Sequence, residues 1–396
     1  MPASAPAQDR RSPFVRLADL LAGSVPARPA LSAAVGEPQH AMPDFVPGVL
    51  AAAVDGFGRY PRAEGLPAYR AAVSGWLGRR YSLARTVDPE REVLVLNGSR
   101  EGLVSAAVVA GRLVAPRAGK PVMLLPNPFY AAYAAGAELA GCEVVVMPTT
   151  RASGWLPDLD ALTPELLART VAVFIASPAN PQGAVASPAY LKRLLDLTRA
   201  HGAYLFSDEC YSEVYLGAEK PAGILEVCGT DFTGVVAFNS LSKRSSLPGM
   251  RCGFCAGDAE FLKAYLAFRW VAAPQVPEPL QHVGIAAYGD ETHVEASRAL
   301  YCAKFDMADR LFAGRFGYER PGGGFFLWLD VSSAGGGEQA ALKLWQEQGL
   351  RTLPGGYLAR PDADGINPGD AYLRVALVQD PATCEEVLHR LLAGLS

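Results

Sequence analysis

The sequence predicts an α/β protein: a large domain built on a mostly parallel seven-stranded sheet, followed by a smaller α+β domain. Three observations predict it. Short apolar, β-branched runs recur and are apolar throughout, as strands buried on both faces are. Helix-length segments separate them, the alternation that a parallel sheet with crossover helices requires. After about residue 280 the rhythm changes to a few strands and helices without that alternation.

The expected strands of the large domain are Val93–Leu96, Val122–Leu125, Val144–Met147, Val171–Ala176, Tyr204–Ser207, Val235–Asn239 and Gly253–Gly257. Glu101–Val114, Tyr130–Ala140 and Ala189–His201 are the helices expected between them. This domain is placed at residues 45–280. In the small domain, residues 281–396, Phe325–Val331 and Tyr372–Leu377 read as strands, and Glu338–Gln348 and Pro381–Leu395 as helices. In the last helix Val387, Leu388, Leu391 and Leu392 share one face. Residues 1–44 are expected to join the small domain. Their Pro-, Ala- and Ser-rich start reads as a loose soluble lead-in, because no apolar run follows Arg10 and Arg11. Pro321–Gly324 and Pro361–Asp370 read as flexible loops.

With 396 residues, half of them hydrophobic, the chain can bury a large core. Its net charge of -4 gives no footprint for nucleic acid or an anionic membrane. No apolar stretch approaches the roughly 18 residues of a membrane span. Seven cysteines, an odd number, do not form a disulfide framework, so a reducing cytoplasm is expected. Cys252 and Cys255 form a C-x-x-C, but no second pair completes a zinc site and the flanking pattern is a strand. They read as buried thiols, and no metal is expected.

Open α/β sheets bind ligands beyond the carboxyl ends of their strands, so the strand exits carry the argument. After the first comes Asn97-Gly98-Ser99-Arg100-Glu101, opening a helix whose free N–H groups favour an anion; a simple helix cap explains Ser99 equally well. After the second, Tyr130 follows Pro126-Asn-Pro-Phe and could stack on a planar ring or fill the core. The fourth exit, Ser177-Pro-Ala-Asn180-Pro-Gln182-Gly183, holds Asn180 between two prolines. The fifth puts Asp208 at a strand end, with Tyr211 three residues on. The sixth gives Ser240-Leu-Ser242-Lys243, then Arg251. Lys243 is one of only seven lysines against 29 arginines. A lysine among small hydroxyls at a strand exit is a candidate nucleophile, although a lone surface lysine would look the same.

Taken together these pieces resemble the class I/II aminotransferases, the fold-type-I pyridoxal-phosphate enzymes. The matching stretches are Gly36-Glu-Pro, Tyr60-Pro, Gly98-Ser99, Asn180-Pro-x-Gly183, Asp208-x-x-Tyr211, Ser240-x-Ser242-Lys243, Arg251 and Arg374, in the family's order from about residue 30 to the C-terminus. One departure is Gln182 where threonine is common in the family. The resemblance implies that Lys243 carries pyridoxal 5′-phosphate as a Schiff base and later moves the substrate proton. It implies Asp208 at the pyridine nitrogen, Asn180 and Tyr211 at the phenolic oxygen, and Tyr130 on the ring. It gives the phosphate to Gly98, Ser99, Ser240, Ser242, Arg251 and the Arg100 backbone. Tyr60 matches a residue that reaches the neighbouring subunit's phosphate, which implies a homodimer with shared sites. Arg374, supported by the Gly36 N–H, matches the residue that takes the substrate α-carboxylate.

Within the family, Asn97–Gly102, Pro126–Tyr130, Leu353–Arg360 and Asn367-Pro-Gly resemble N-succinyldiaminopimelate aminotransferases of bacterial lysine biosynthesis. The implied reaction moves an amino group from glutamate to N-succinyl-2-amino-6-oxopimelate. Arg360, by chain position, is the candidate for a distal carboxylate, or else an ordinary loop arginine. Other expectations stay open: an aminotransferase for aspartate, alanine, aromatic or acetylornithine-type donors, or a C–S β-lyase. A sensor domain of a transcription regulator is disfavoured, since the match starts near residue 30.

Overall fold

A computed structural model describes residues 11–114, 119–362 and 364–396. Twelve strands appear in it: β1 (Leu31–Ser32), β2 (Val93–Leu96), β3 (Val122–Asn127), β4 (Glu143–Pro148), β5 (Thr170–Ala176), β6 (Tyr204–Asp208), β7 (Val235–Ser240), β8 (Gly253–Gly257), β9 (Phe326–Asp330), β10 (Leu350–Arg351), β11 (Leu353–Pro354) and β12 (Tyr372–Ala376). The central sheet has seven strands in the order β2-β8-β7-β6-β5-β3-β4. β8 alone runs against its neighbours β2 and β7. Six carboxyl ends therefore open on one edge, and β8 begins there. That edge collects the strand exits singled out in the sequence.

The alternation along each strand divides the core in two. Val93, Val95, Val122, Leu124, Val173, Ile175, Val235 and Ala237 face one side of the sheet. Leu94, Leu96, Met123, Leu125, Phe174, Phe206, Val236 and Phe238 face the other. Such strands are buried on both faces, so they lack a polar stripe and read as continuous apolar runs. Helices Ser99–Leu113, Ala131–Leu139 and Pro188–His201 lie close to where the pattern puts them. The last is capped at both ends, by Ser187 and by Gly202 in the left-handed region.

The small domain holds a three-stranded antiparallel sheet, β11-β12-β9. Helices Thr292–Phe312, Gly337–Gln348 and Pro381–Leu395 pack with it around a separate core. The boundary expected at residue 280 falls inside helix Glu278–Gly289, whose Val283, Ala287 and Tyr288 pack into the large core.

The N-terminal segment, expected to join the small domain, carries from Pro13 a helix, Pro13–Leu21, capped by Ser12, whose Leu17 and Leu21 are buried with Trp345 and Leu353. The helix has only two buried leucines, too few to show as a periodic signal. Residues 1–10 lie outside the described set. One expectation, the loop at Pro321–Gly324, needs correction. Gly323 N donates to Gly183 O (3.0 Å), Gly324 N to Val214 O (2.7 Å), and Gly322 O accepts from Leu216 N (3.0 Å). Glycine is there because the backbones touch.

The segment Ala33–His40 then crosses from the small domain into the cleft. Ala376 N donates to Ala33 O (2.7 Å) and Gln39 N to Val378 O (3.2 Å). Its end is held by a buried pair: Lys304 Nζ donates to His40 Nε2 (2.7 Å), and His40 Nδ1 sits 2.8 Å from Ser297 Oγ. Burial, then the Lys304 charge, lower the His40 pKa to about 4, and burial lowers that of Lys304 to about 8. Both folded values lie below the unfolded ones, 6.5 and 10.5. Stability is therefore lost as pH falls from 6.5 towards 4, where unfolded His40 takes a proton that the folded one refuses. It is gained as pH rises from 8 towards 10.5, where folded Lys304 has given up a proton that the unfolded one still holds. Urea unfolding should show the acid limb of wild type flattened by about 1–2 kcal/mol in His40→Gln, allowing for the partial exposure of His40. Lys304→Met should instead remove the gain in stability between pH 8 and 10.5.

Candidate active site

Lys243 sits in the single helical turn Leu241–Arg244 after β7. Its amine donates to Gly36 O at 2.5 Å and lies 5.3 Å from the centre of the Phe325 ring and 5.9 Å from that of Tyr211. Burial lowers its pKa to about 8, with Cys210 working against the shift and Arg374 and Arg251 adding to it. A lysine in that state supplies a neutral amine near physiological pH. Beneath it Arg244 is 1% exposed, donates to Ala287 O (2.7 Å) and lies over the Trp76 and Tyr288 rings, anchoring the turn.

Asp208 ends β6 and is 8% exposed. Its Oδ2 accepts from the Tyr133 hydroxyl (2.7 Å) and its Oδ1 from Cys210 N (3.2 Å). Burial raises its pKa against those hydrogen bonds and the charge of Lys243. Tyr211, one turn on, is buried edge-on to Phe325 and Phe326, with ring centres 5.3 and 6.1 Å away.

At the β2 exit Gly98 has φ 77° and opens helix Ser99–Leu113. The positive φ favours glycine, and a Cβ there would push aside the Arg251 guanidinium that closes over it. Arg251 itself has φ 51°, just ahead of β8, and its Nη1 reaches Ser242 Oγ (3.4 Å) and Pro248 O (2.9 Å). Ser240 Oγ and Ser242 Oγ are 2.9 Å apart. Helix N-terminus, guanidinium and hydroxyls form a cradle for a dianion. Beside it Arg100 Nε donates to the Tyr130 hydroxyl at 2.6 Å.

Arg374 reaches the same cleft from β12. It is 4% exposed and lies over the Phe326 ring at 4.3 Å. Nη1 donates to Asn180 Oδ1 (3.2 Å) and Nη2 to Ala34 O (2.8 Å), while buried Nε has no partner. Burial lowers its pKa to about 10, so it is still a cation at neutral pH. A buried guanidinium with an unused N–H suits a carboxylate ligand.

A profile of the family "Aminotransferase class I and II" matches residues 30–391. The chain belongs to the class I and II aminotransferases. It is 32% identical to the LL-diaminopimelate aminotransferase of Desulforudis audaxviator, covering 91% of this chain and 89% of that one. It is 33% identical to the 4-dedimethylamino-4-oxo-anhydrotetracycline transaminase OxyQ of Streptomyces rimosus, covering 87% and 88%. Among solved structures, an aminotransferase from Neisseria meningitidis superposes with a TM-score of 0.91 at 36% identity, covering 98% of both chains. Aminotransferase AspB from Helicobacter pylori superposes at 0.88 and 31%, covering 98% of this chain and 99% of that one. The fold is thus the fold-type-I aminotransferase fold, and the enzyme is pyridoxal-phosphate dependent. Its residues fit that cofactor. There is a buried amine for the aldehyde and a buried acid for the ring nitrogen. The Gly98 cradle, which a Cβ would fill, suits the phosphate.

The structure brings most of the sequence-derived site residues into this cleft. Tyr60 stands apart at the surface, 97% exposed. Arg360 is engaged elsewhere: its Nη2 pairs with Glu138 Oε1 (2.9 Å), and its backbone exchanges two hydrogen bonds with the Asn127 side chain. Gln182 donates to Thr149 Oγ1 (2.7 Å). Cys252 and Cys255 pack into opposite cores, and burial pushes both thiols up to about 12. Sequence reasoning missed Tyr133, Cys210, Phe325 and Phe326. Tyr133 was within reach, since it follows Tyr130 by three residues and so shares its helix face. The two phenylalanines belong to a strand far away in sequence.

Proposed function

We propose that this aminotransferase moves an amino group from glutamate to N-succinyl-2-amino-6-oxopimelate, forming 2-oxoglutarate and N-succinyl-LL-2,6-diaminopimelate, or the reverse, in the cytoplasm. The observation that carries an α-amino-acid substrate is the buried Arg374 with its unpartnered Nε, in the same cleft as the Lys243 amine. Bound pyridoxal phosphate supplies the electron sink for the carbanion. The chain's residues do the rest. Arg374 holds the α-carboxylate, with Asn180 fixing its fork and the Gly36 N–H beside it. Lys243 carries the cofactor at rest. With its amine freed by the substrate amine, Lys243 Nζ would serve as the base that removes the substrate Cα proton. Asp208 would hold the ring nitrogen, Asn180 and Tyr211 the phenolic oxygen, and Tyr130 the ring face. Gly98, Ser99, the Arg100 backbone, Ser240, Ser242 and Arg251 hold the phosphate.

The substrate rests on the resemblance of the loops together with the diaminopimelate relatives. Those relatives favour a second reading, LL-diaminopimelate itself without the succinyl group. Identity alone does not choose, because OxyQ is as similar. Glutamate formation from 2-oxoglutarate should be compared for N-succinyl-LL-diaminopimelate, LL-diaminopimelate and N-acetylornithine. We expect kcat/KM at least tenfold higher for the succinylated compound. Equal or better turnover of free LL-diaminopimelate overturns that choice, while leaving the transaminase chemistry standing.

Tyr60 supports a homodimer with shared sites. It is exposed beside Val54 (53%) and Phe57 (54%), and Trp270 and Val271 are exposed at 65% and 91%.

A further inference from the structure

The proposed reading asks Asp208 to stay a carboxylate in a place where burial opposes it. The groups that face it are few: the Tyr133 hydroxyl, the Cys210 N–H and thiol, and the Lys243 amine. The Cys210 N–H is a backbone group two residues along the same loop, and Lys243 is occupied in catalysis. Tyr133 is the one side chain from another element that donates to the acid.

Its placement is tightly determined. Tyr133 is 1% exposed. Its ring stacks on Phe174 at 4.8 Å and 19°, and meets Tyr130 edge-on at 5.7 Å and 88°. Burial, then the Asp208 charge, push its own pKa well above 10, so it is a donor throughout the working pH range. The hydroxyl lies 2.7 Å from Asp208 Oδ2, at the short end expected when the accepting oxygen is charged. Tyr130, the extended residue before helix Ala131–Leu139, and Tyr133 in its first turn thus stand side by side, Tyr133 towards the acid.

We propose that Tyr133 is a positioning residue, whose buried hydroxyl fixes the rotation of the Asp208 carboxylate and holds it in the ionised form that the pyridine nitrogen requires. The inference rests on Asp208 facing that nitrogen. Losing the hydroxyl leaves the acid with only the weaker Cys210 N–H and thiol, favours its neutral form and so lets the ring nitrogen lose its proton. The positive charge on the ring then no longer lowers the pH at which the bound cofactor's visible absorption changes.

The test is Tyr133→Phe, which keeps the stacked ring, in the full holoenzyme. The absorption transition should move up by about one pH unit, and kcat should fall about tenfold with KM for glutamate changed less than twofold. With a cofactor analogue carrying carbon in place of the ring nitrogen, wild type and Tyr133→Phe should turn over alike. An unmoved transition in Tyr133→Phe, while Asp208→Asn moves it, overturns the role of Tyr133 alone. An unmoved transition in Asp208→Asn as well overturns the reading of Asp208 beneath it. If Tyr133→Phe does not fold, infrared difference spectra of wild-type and Asp208→Asn apoprotein decide. A protonated Asp208 carboxyl band near pH 7 overturns the proposal, and an ionised one supports it.

Discussion

Replacing Lys243 with alanine should abolish transamination while leaving the fold intact. Two contributions vanish together. The covalent hold on the cofactor goes, so borohydride no longer fixes pyridoxal phosphate to the chain. The base for the Cα proton goes too, and a positioned general base contributes up to about 10⁴-fold, on the order of 5 kcal/mol of barrier. We expect kcat to fall by about that factor, and exchange of the glutamate Cα hydrogen into D₂O to fall with it. Stability should barely change. The lost bond to Gly36 O is offset by removing a buried amine whose charged form burial disfavours. Lys243→Arg should be no more active than Lys243→Ala, because a guanidinium keeps its proton at any working pH. Appreciable exchange in Lys243→Ala would sink the assignment.

Where Lys243 sits was legible in the sequence for a physical reason, while its role came from the family resemblance. The sheet is parallel and doubly covered, so its strands are apolar runs and their exits all reach one edge. A strand order with one reversed member still brings Ser240, Lys243 and Arg251 together, because Arg251 stands at the start of β8 on that same edge. Gly98 was legible only as a residue that lets the backbone approach an anion; its positive φ and the nearby Arg251 guanidinium come from the fold.

What was not legible was set by tertiary contact. The Ala33–His40 segment carries no periodicity, yet its carbonyls receive both Arg374 and Lys243. Pro321–Gly324 has a loop's composition because two backbones touch there, which glycine permits in either case. Arg360 seemed free by position. Its partner Glu138 lies 222 residues away in sequence, and no local pattern reports an ion pair of that kind.

Arg374→Ala should lower kcat/KM for glutamate by about 10³-fold, chiefly through KM, since a buried bidentate pair truncated on one side typically costs about 3–5 kcal/mol. The distinctive expectation is symmetry. Both substrates of a transaminase carry an α-carboxylate, so glutamate and its partner amino acid should lose the same factor. A residue serving a distal group would penalise one and spare the other. Arg374→Lys should fall between wild type and alanine, keeping the charge but losing the planar fork that also reaches Asn180 Oδ1 and Ala34 O. Folding stability should change far less than affinity. Burial already disfavours the charge and lowers its pKa to about 10, so deleting the cation relieves a desolvation cost while leaving the Ala34 carbonyl short of a donor. Steady-state kinetics with both amino donors, alongside urea unfolding of the same variants, separate these terms. An unchanged KM for glutamate in Arg374→Ala would remove the carboxylate role. An unequal loss between the two donors would move Arg374 to the distal end of one of them.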